Sequence, residues 1–348
     1  MFYAKVVLGI PVAGPFDYIV PSGLVKKIKA GSRVRVNFGH KDTVAYVVGL
    51  AKASGIAKLK PILEVLDDFP ALDRQMLLLT KQVSEYYFCS WGQAIETALP
   101  QALRKSKGVS GEQEMPEVGT IAPPVITLLH SLDEEGKWDI YIKDIKEALA
   151  CGGSVIILVP DLSSALRARE AIAKNTDITP VLIYRQQPKE LEWWLKARRG
   201  ESKIIVGTRS AVFVPLPGLK LLIIDEEQNS AYKQDQVPHY HAREVAFMRS
   251  DRQGVKLVLG SSSPSLESLR LAKENKIKYI FLPRKKAFPE IKIINTFSEY
   301  NMLTQRKLLL TKYLQDAVVS ALSLKEKVLL FINRKGFATQ GRCQGCGV

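Results

Sequence analysis

The stretch LKLLIIDEEQ, residues 219–228, joins an apolar run to an acidic end. Four consecutive apolar residues, 221–224, suit a buried strand, and acidic residues follow at once. Ligands of parallel α/β sheets bind at the carboxyl ends of the strands. In nucleoside-triphosphate hydrolases with a phosphate-binding loop, adjacent acids at this place hold Mg²⁺ and lie near the attacking water. The stretch therefore predicts a nucleotide site with Asp225 and Glu226 as catalytic residues, and the alternative is a polar strand end before a helix.

The segments around this stretch repeat one alternation. Apolar runs at 155–160 (VIILVP), 203–207 (KIIVG) and 255–263 (VKLVLGSSS) are each followed by a stretch that can form a helix or turn. Continuous apolar strands that alternate with helices are typical of a parallel sheet covered on both faces. The sequence therefore predicts an α/β fold from about residue 125 onward.

The amino-terminal third has a different pattern. Short β-branched segments separated by Gly, Pro and Ser predict strands, and apolar residues three and four apart predict a helix from about Asp73 to Tyr87. Asp73 is a plausible helix cap. Residues 105–124 lose the apolar periodicity and gain Gly, Pro and charge, which indicates a linker between two domains.

Composition limits the classes of function. The 348 residues carry a formal net charge of +15, which favours a nucleic-acid partner over a merely solvated basic surface. No apolar run is as long as a membrane span, and the first residues lack a signal-peptide pattern. Two of the four cysteines, Cys89 and Cys151, are isolated, which argues against a disulfide framework. We therefore expect a cytoplasmic protein without a membrane partner.

Three short motifs allow a functional and a plain structural interpretation. Cys343 and Cys346, in CQGCG, have the spacing of half a zinc site. The serines of LGSSSPSLES, 259–268, either link nucleotide and nucleic-acid sites or precede a helix that begins at Pro264. His239 and His241 show no metal or triad spacing and are expected at a helix start.

Taken together, several stretches resemble one family, primosomal protein N′, the PriA replication-restart DNA helicases of superfamily 2. The longest are IIVGTRSAVFVPLPGLKLLIIDEEQNSAYKQ (204–234) and LLFINRKGFATQGRCQGCG (329–347). PVAGPFDYIVPSGL (11–24) and YYFCSWGQAIETALPQALR (86–104) extend the similarity through the amino-terminal third. The resemblance is collinear over nearly the whole chain, and the chain looks like a divergent, carboxyl-terminally truncated member.

This resemblance implies a set of domains and sites. It implies a β-rich domain that binds DNA 3′ ends (1–104), a linker too short for a winged helix (105–124), a RecA-like first helicase lobe (125–283) and, in 284–348, the start of a second lobe with half of a zinc motif. Phe16, Asp17, Gly39 and Lys60 would line the 3′-end pocket, although core packing is an equal alternative for Phe16. Arg209 would contact the DNA backbone.

The resemblance also implies cofactors and partners. ATP and Mg²⁺ would bind at Gly136 and Lys137, and Zn²⁺ at Cys343 and Cys346. The partners would be DNA forks, 3′ ends and single strands, together with primosome and single-strand-binding proteins.

The phosphate-binding loop departs from the family pattern. Where that pattern reads roughly GxTGSGKTE, residues 131–139 read SLDEEGKWD, and only Gly136 and Lys137 match. Glu134 and Glu135 replace small residues whose amides would hold phosphates, and Trp138 replaces a Mg²⁺-ligating hydroxyl. We therefore expect weak or absent ATP hydrolysis.

Three hypotheses follow from these observations. The chain is a working restart helicase or a fragment of one, a DNA-binding protein of helicase descent that does not hydrolyse ATP, or a decaying gene product or scaffold. The departures in the phosphate loop favour the second hypothesis. The intact core strands argue against the third.

Overall fold

The computed structural model describes residues 2–105, 108–109, 123–185, 187–285, 290–295 and 311–331. They belong to two compact units, Met1–Lys285 and Lys286–Val348. The first unit contains two sheets and is described first.

Five antiparallel strands form the amino-terminal sheet. In chain order they are β1 (Phe2–Leu8), β2 (Phe16–Val20), β3 (Arg33–Phe38), β4 (Lys41–Ala51) and β5 (Ile62–Val65), and they lie in the order β2-β1-β4-β3-β5. Ile19 forms a bridge to Pro61, and the Ile19 N–H donates to the Lys60 carbonyl at 3.0 Å. The two edge strands therefore meet, which leaves fewer unpaired backbone groups at the edges. The prediction of a β-rich amino-terminal part is confirmed.

A two-residue turn joins β3 to β4. Gly39 has a φ of 54° and His40 a φ of 67°, and Phe38 pairs with Lys41 across the turn. Positive φ at both central positions matches the turn whose twist suits an antiparallel hairpin. Gly39 is the residue type that takes this conformation without steric cost.

Two helices pack beside this sheet, α1 (Arg74–Tyr86) and α2 (Trp91–Ala98). The Asp73 carboxylate accepts from the Met76 N–H at 2.6 Å, which satisfies one free donor at the start of α1. Ser90 and Gln93 cap α2 reciprocally. The predicted helix from Asp73 to Tyr87 is confirmed, with Asp73 as its cap.

The second sheet of this unit has seven strands. They are β6 (Ile126–Ser131), β7 (Ser154–Leu158), β8 (Val181–Ile183), β9 (Ile204–Gly207), β10 (Leu219–Asp225), β11 (Lys256–Ser261) and β12 (Lys278–Leu282). The order is β12-β6-β11-β10-β7-β9-β8, and every neighbouring pair is parallel. The helices are α3 (Glu134–Ala150), α4 (Leu162–Thr176), α5 (Glu190–Arg198), α6 (Ala242–Gln253) and α7 (Leu266–Lys273). This is a RecA-like α/β lobe, so the predicted fold class is confirmed.

Alternate residues of the central strands enter two separate cores. Ile156 and Ile224 belong to one core, whereas Ile157 and Ile223 belong to the other. All four are completely buried, and burial of each such side chain contributes about 1.5–3 kcal/mol. The continuous apolar runs of the sequence therefore arise from a sheet that is covered on both faces.

The first of these cores reaches into the amino-terminal part. It also contains Met76 from α1 and Ile95 from α2. Arg198 of α5 donates to the Ala71 carbonyl at 2.7 Å, which adds a polar link between the same two regions. The two sheets therefore share one hydrophobic core, and the domain limits inferred from the sequence stay a prediction.

The second unit contains α8 (Lys312–Ser323) within its described residues. The Thr311 hydroxyl accepts from the Leu314 N–H at 3.2 Å and caps this helix. Val319 and Leu322 are more than half exposed.

His241, at the start of α6, is expected to make the free energy of unfolding depend on pH. His241 caps this helix through Nδ1, which accepts from the Arg243 N–H at 3.2 Å, so the imidazole must be neutral there. Burial, and then Arg243 and Lys233, lower the pKa of His241 to about 4. The unfolded chain takes up a proton below its ordinary pKa of about 6.5, while the folded chain does so only near 4. We therefore expect the free energy of unfolding to fall as the pH drops from about 6.5 to about 4.

His241→Asn separates this effect from the titration of carboxylates, because asparagine offers a cap acceptor that does not titrate. Urea unfolding at several pH values should show a shallower loss of stability for the variant. An identical pH dependence in both proteins would exclude His241 as the cause.

Candidate nucleotide and DNA sites

Gly136 and Lys137 lie in the first turn of α3. Only residues 132–133 separate β6 from this helix, so there is no extended loop ahead of it. The expectation that Glu134 and Glu135 stand in a phosphate-binding loop is wrong, because they are the first two residues of α3. The positive end of the helix dipole favours acids there. The loop has therefore become the start of a helix.

A carboxylate already lies at this helix start. Asp133 pairs with Lys285 at 2.8 Å. The hydrogen bond from Lys285 holds the pKa of Asp133 below its ordinary value. Asp133 Oδ2 would lie 2.6 Å from a Cβ at Gly136, so this carboxylate lies beside the first turn of α3 without capping the helix.

Three carboxylates surround the ammonium group of Lys137. Its Nζ lies 2.9 Å from Glu134 Oε2, 2.9 Å from Asp225 Oδ1 and 2.8 Å from Glu226 Oε1, and the residue is completely buried. Burial alone would lower the pKa of Lys137, but Asp225 and the hydrogen bonds to the carboxylates raise it well above its ordinary value. Lys137 is therefore charged and fully engaged within the chain.

The topology explains why these groups meet. β6, which precedes Lys137, lies next to β11, and β11 lies next to β10, which ends at Asp225. All three strands are parallel, so their carboxyl ends share one edge of the sheet. The sequence predicted that Lys137, Asp225 and Glu226 belong together, and the structure brings them into direct contact.

Two aromatic residues of α3 complete this cluster. The Trp138 indole donates to Glu134 Oε1 at 3.0 Å, and the Tyr141 hydroxyl donates to Asp225 Oδ1 at 3.0 Å. Gly260 makes room for Tyr141, because a Cβ at this glycine would lie 1.5 Å from the hydroxyl oxygen. Sequence reasoning missed Tyr141 and Gly260. The spacing of residues 134, 137, 138 and 141 along one helix face was the available signal.

Gln228 connects the acids to the serines at the end of β11. Its Nε2 donates to Glu226 Oε2 at 2.8 Å, and Ser261 Oγ donates to Gln228 Oε1 at 2.5 Å. The helix that follows begins at Leu266 with Ser265 as its cap, two residues later than the sequence predicted. The helix-start interpretation of the serines is therefore confirmed, and the link between nucleotide and nucleic-acid sites stays a prediction.

Glu227 is a further acid that sequence reasoning left without a role. It is completely buried, and it accepts from Arg243 Nη1 at 2.8 Å and from the Ser265 N–H at 2.7 Å. A buried carboxylate needs such partners. Glu227 therefore joins the end of β10 to α6 and α7.

In their present arrangement, the residues at the carboxyl ends of β6, β10 and β11 do not fit a nucleoside triphosphate. A phosphate would need the Lys137 ammonium, which three carboxylates hold, and the space beside Gly136 where the Asp133 carboxylate lies. A carboxylate of the same segment, that of Glu134, takes the place of an external anion.

Two of the predicted DNA-binding residues, Phe16 and Lys60, each lie against a residue of β3. The Phe16 and Phe38 rings are 5.2 Å apart, and Phe16 is half-buried. Lys60 is exposed, and its Nζ donates to Asn37 Oδ1 at 2.7 Å, beside Phe38 and the turn at Gly39. This group combines an aromatic pair with an accessible cation, as a nucleic-acid end would require.

Asp17 and Arg209 have different surroundings. Asp17 Oδ2 accepts from the Ser54 hydroxyl at 2.6 Å. Arg209 is half-buried, and it donates to Gln234 Oε1 at 2.9 Å and to the Ala231 carbonyl at 3.0 Å. The described contacts do not join Arg209 to the group around Phe16.

The predicted zinc ligands Cys343 and Cys346 lie outside the described residues. Within the described ranges, no group of three or more His, Cys, Asp or Glu residues is arranged to hold a metal ion. No helix in the same ranges is long and apolar enough to cross a membrane.

Comparison with known proteins shows which replication proteins the chain is similar to. Residues 5–100 match the 3′DNA-binding domain (3′BD) of PriA. The whole chain aligns with the replication restart protein PriA of Rickettsia felis at 27% identity over 369 residues. Over its whole length, the chain is similar to replication restart proteins named PriA.

The alignment with the PriA of Rickettsia felis covers 100% of the chain and 56% of that relative. The PriA of Bacillus subtilis is 30% identical over 227 residues, covering 64% of the chain and 28% of the relative. The PriA of Treponema pallidum is 24% identical over 374 residues, with 99% and 56% coverage. The chain therefore spans about half the length of the curated PriA relatives that it matches along its whole length.

Solved structures of lower similarity include the Pyrococcus furiosus Hef helicase domain, at 17% identity and a TM-score of 0.29, covering 40% of this chain and 28% of that one. Another is the carboxyl-terminal domain of S. cerevisiae Dbp5, at 13% identity and a TM-score of 0.33, covering 48% of this chain and 92% of that one.

Proposed function

We propose that this PriA relative binds DNA forks and 3′ ends and hydrolyses ATP weakly or not at all. The observation that carries the proposal is the pairing of Lys137 with Glu134, in a chain whose residues 5–100 match a 3′DNA-binding domain. The partners would be forked and single-stranded DNA, with primosome and single-strand-binding proteins as further candidates.

Side chains of the amino-terminal part and the net charge support the proposal that the chain binds DNA. Phe16 and Phe38 offer aromatic faces on which a terminal base can stack. Lys60 is exposed and can neutralise a phosphate, while the Asp17 carboxylate can accept a hydrogen bond from a hydroxyl. The net charge of +15 adds a long-range attraction for any phosphate backbone.

Charge repulsion supports the proposal that the chain hydrolyses ATP weakly or not at all. Each phosphate that approached Lys137 would also approach Glu134, and two like charges 4 Å apart repel by roughly 4 kcal/mol at an effective dielectric constant of 20. The nucleotide would also have to separate Lys137 from Asp225 and Glu226. We therefore propose that Lys137 stays paired with Glu134, Asp225 and Glu226 in the wild-type chain.

An ATP-dependent helicase is the second candidate. The contact between Lys137, Asp225 and Glu226 at adjoining strand ends favours it, because this is where nucleotide hydrolases place the same residue types. In that case, DNA would have to induce Glu134 to leave Lys137.

Paired measurements of binding and hydrolysis test the proposal. We expect the chain to bind a fork with a free 3′ hydroxyl about 3- to 10-fold more tightly than a fork with a 3′ phosphate, the value of one hydrogen bond. Lys60→Gln should weaken binding to the free-ended fork by a similar factor. Lys58→Gln is the matched control, because Lys58 is also exposed and lies two residues away.

ATP hydrolysis in the presence of the fork should stay at background. Equal affinity for the two forks would contradict the 3′-end assignment. Hydrolysis that DNA stimulates and that Lys137→Ala abolishes would contradict the closed nucleotide site and establish the helicase alternative.

A further inference from the structure

We infer that the edge of the parallel sheet at β12 binds an extended acidic segment of another protein as an additional strand. β12 is the last strand on its side of the sheet, and within the described residues it pairs with β6 alone. An edge strand presents backbone N–H and C=O groups that can pair with a second chain. The inference is independent of the proposed DNA binding, because Phe16 and Lys60, which support that proposal, lie in the amino-terminal part.

The backbone groups of Tyr279 and Phe281 point away from β6. The Leu282 carbonyl accepts from the Leu132 N–H at 2.9 Å, so the backbone groups of Leu282 point toward β6. Backbone groups of successive residues point alternately to the two sides of a strand. The N–H and C=O groups of Tyr279 and Phe281 therefore face the open side of β12, where a partner strand can form hydrogen bonds with them.

Tyr279, Phe281 and His130 form an aromatic surface on one face of this edge. Phe281 lies opposite His130 in the pairing of β12 with β6, and the two ring centroids are 5.0 Å apart. His130 Nδ1 lies 2.8 Å from the Tyr279 hydroxyl, and this hydrogen bond orients both side chains. Tyr279 is 45% exposed and Phe281 is 46% exposed. Apolar side chains of an added strand would pack directly against these rings.

The opposite edge of the sheet lacks these features. β8 has only three residues, Val181–Ile183, and each of them is buried or half-buried. β12 has five residues, and three of them, Lys278, Tyr279 and Phe281, are exposed. The longer and more exposed strand therefore offers more backbone and side-chain contacts to a partner.

Charge favours an acidic segment as the occupant. Residues 274–285 contain four basic residues and one acid, a net charge of +3. Lys276 and Lys278 lie at the start of β12, and Arg284 and Lys285 follow its end. Lys276 and Lys285 also pair with acids of the chain, so the attraction is moderate. Acidic residues on both sides of the pairing segment would lie near these basic residues.

A second copy of the chain and a nucleic acid fit this edge less well. A second copy that paired antiparallel around Ile280 would place Lys276 opposite Arg284 of the other copy, and each copy carries a net charge of +15. A phosphate oxygen only accepts hydrogen bonds, whereas Tyr279 and Phe281 present carbonyls as well as N–H groups. A peptide strand supplies both donors and acceptors.

Fluorescence anisotropy with a labelled synthetic peptide tests the inference on the full chain. The probe alternates threonine and valine and has two glutamates at each end. We expect it to bind about 10-fold more tightly than the same peptide with lysines at its ends. Methylation of every second amide nitrogen gives two further peptides. The peptide whose methyl groups face β12 should lose about 10-fold in affinity, and the other should bind nearly as well as the probe.

Two substitutions on β12 separate backbone pairing from side-chain packing. Phe281→Pro removes an N–H group that faces the open side and leaves the hydrogen bonds to β6 in place, so it should weaken binding of the probe by about 10-fold. Phe281→Ala keeps this N–H group and should cost about 2- to 5-fold. Phe2→Ala is the matched control, because Phe2 is an aromatic residue of similar exposure, 42%, in the other sheet. Circular dichroism checks that each variant is folded.

Equal binding of the glutamate and lysine peptides, or equal tolerance of both methylation patterns, would overturn the inference. Dimerisation of the wild-type chain in analytical ultracentrifugation that Phe281→Pro abolishes would make a second copy the occupant. Binding of an oligothymidine that Phe281→Pro weakens as much as it weakens binding of the probe would overturn a protein occupant. The affinity of Phe281→Pro for the DNA fork should equal that of the wild-type chain, so failure of the proposed function is seen separately.

Discussion

Glu134→Ala is expected to raise the affinity of the chain for Mg²⁺-ATP by roughly 30-fold, about 2 kcal/mol. The change removes the carboxylate that lies 2.9 Å from Lys137 Nζ. Full repulsion between Glu134 and a phosphate would amount to roughly 4 kcal/mol, and about half of it is expected to remain because the glutamate side chain is 66% exposed and screened by water. Lys137 would keep its contacts with Asp225 and Glu226, so the gain in affinity comes from the removed repulsion.

Glu135→Ala is the matched control for this result. Glu135 is the next residue of the same helix turn and is exposed, so the substitution changes the helix dipole interaction and the net charge in the same way. Its effect on affinity should stay within about twofold, since exposed charges interact weakly. Glu134→Ala combined with Lys137→Ala should bind no more tightly than the wild-type chain.

Isothermal titration with Mg²⁺-ATP measures the affinities directly. Fluorescence offers a second signal, because the Trp138 indole donates to Glu134 and should respond when that partner is removed or displaced. An equal gain of affinity in the Glu134→Ala and Glu135→Ala variants would show that general charge, and not the contact with Lys137, limits nucleotide binding. Tight binding by the wild-type chain would contradict the closed site itself.

The architecture was predictable because it depends on local patterns. Apolar runs such as 221–224 occur between polar segments, and burial on both faces of a parallel sheet is what such runs require. Asp225 and Glu226 were correctly placed at a strand end because β10 ends where the apolar run ends. The cap at Asp73 was predictable for the same reason, since capping depends on residues within one helix turn.

The contacts of the site were harder to predict, because they depend on the length of one connection and on neighbours distant in sequence. Alignment with the family pattern suggested a loop at 131–139, whereas the acids at 134 and 135 favour a helix start and α3 begins there. The contact of Tyr141 with Asp225 needs the space that Gly260 leaves, and no sequence period relates these positions. The contacts of the Lys137 ammonium with three carboxylates of the same chain are seen only in the three-dimensional structure.

The second large effect concerns stability. Arg33→Met is expected to lower the free energy of unfolding by about 3–5 kcal/mol, because it leaves a buried carboxylate without its partner. Arg33 and Asp67 have completely buried side chains and form two parallel hydrogen bonds of 2.6 and 2.5 Å. Arg33 also donates to the carbonyls of Leu103 and Lys105 at 2.7 and 2.8 Å.

Arg35→Met is the matched control in the same strand. Arg35 pairs with Glu64 at 3.0 Å, but both side chains are more than one third exposed, so the loss should be about 0–1 kcal/mol. Urea unfolding followed by circular dichroism gives both values. Equal effects of the two substitutions would contradict the importance assigned to the buried pair.

The double variant Arg33→Met with Asp67→Leu identifies the cause of the loss. If the unpaired carboxylate accounts for most of it, apolar side chains at both positions should recover the larger share. Any remaining loss would come from other partners, because Arg33 also holds the segment at 103–105 and Asp67 accepts from the Val109 N–H at 2.9 Å.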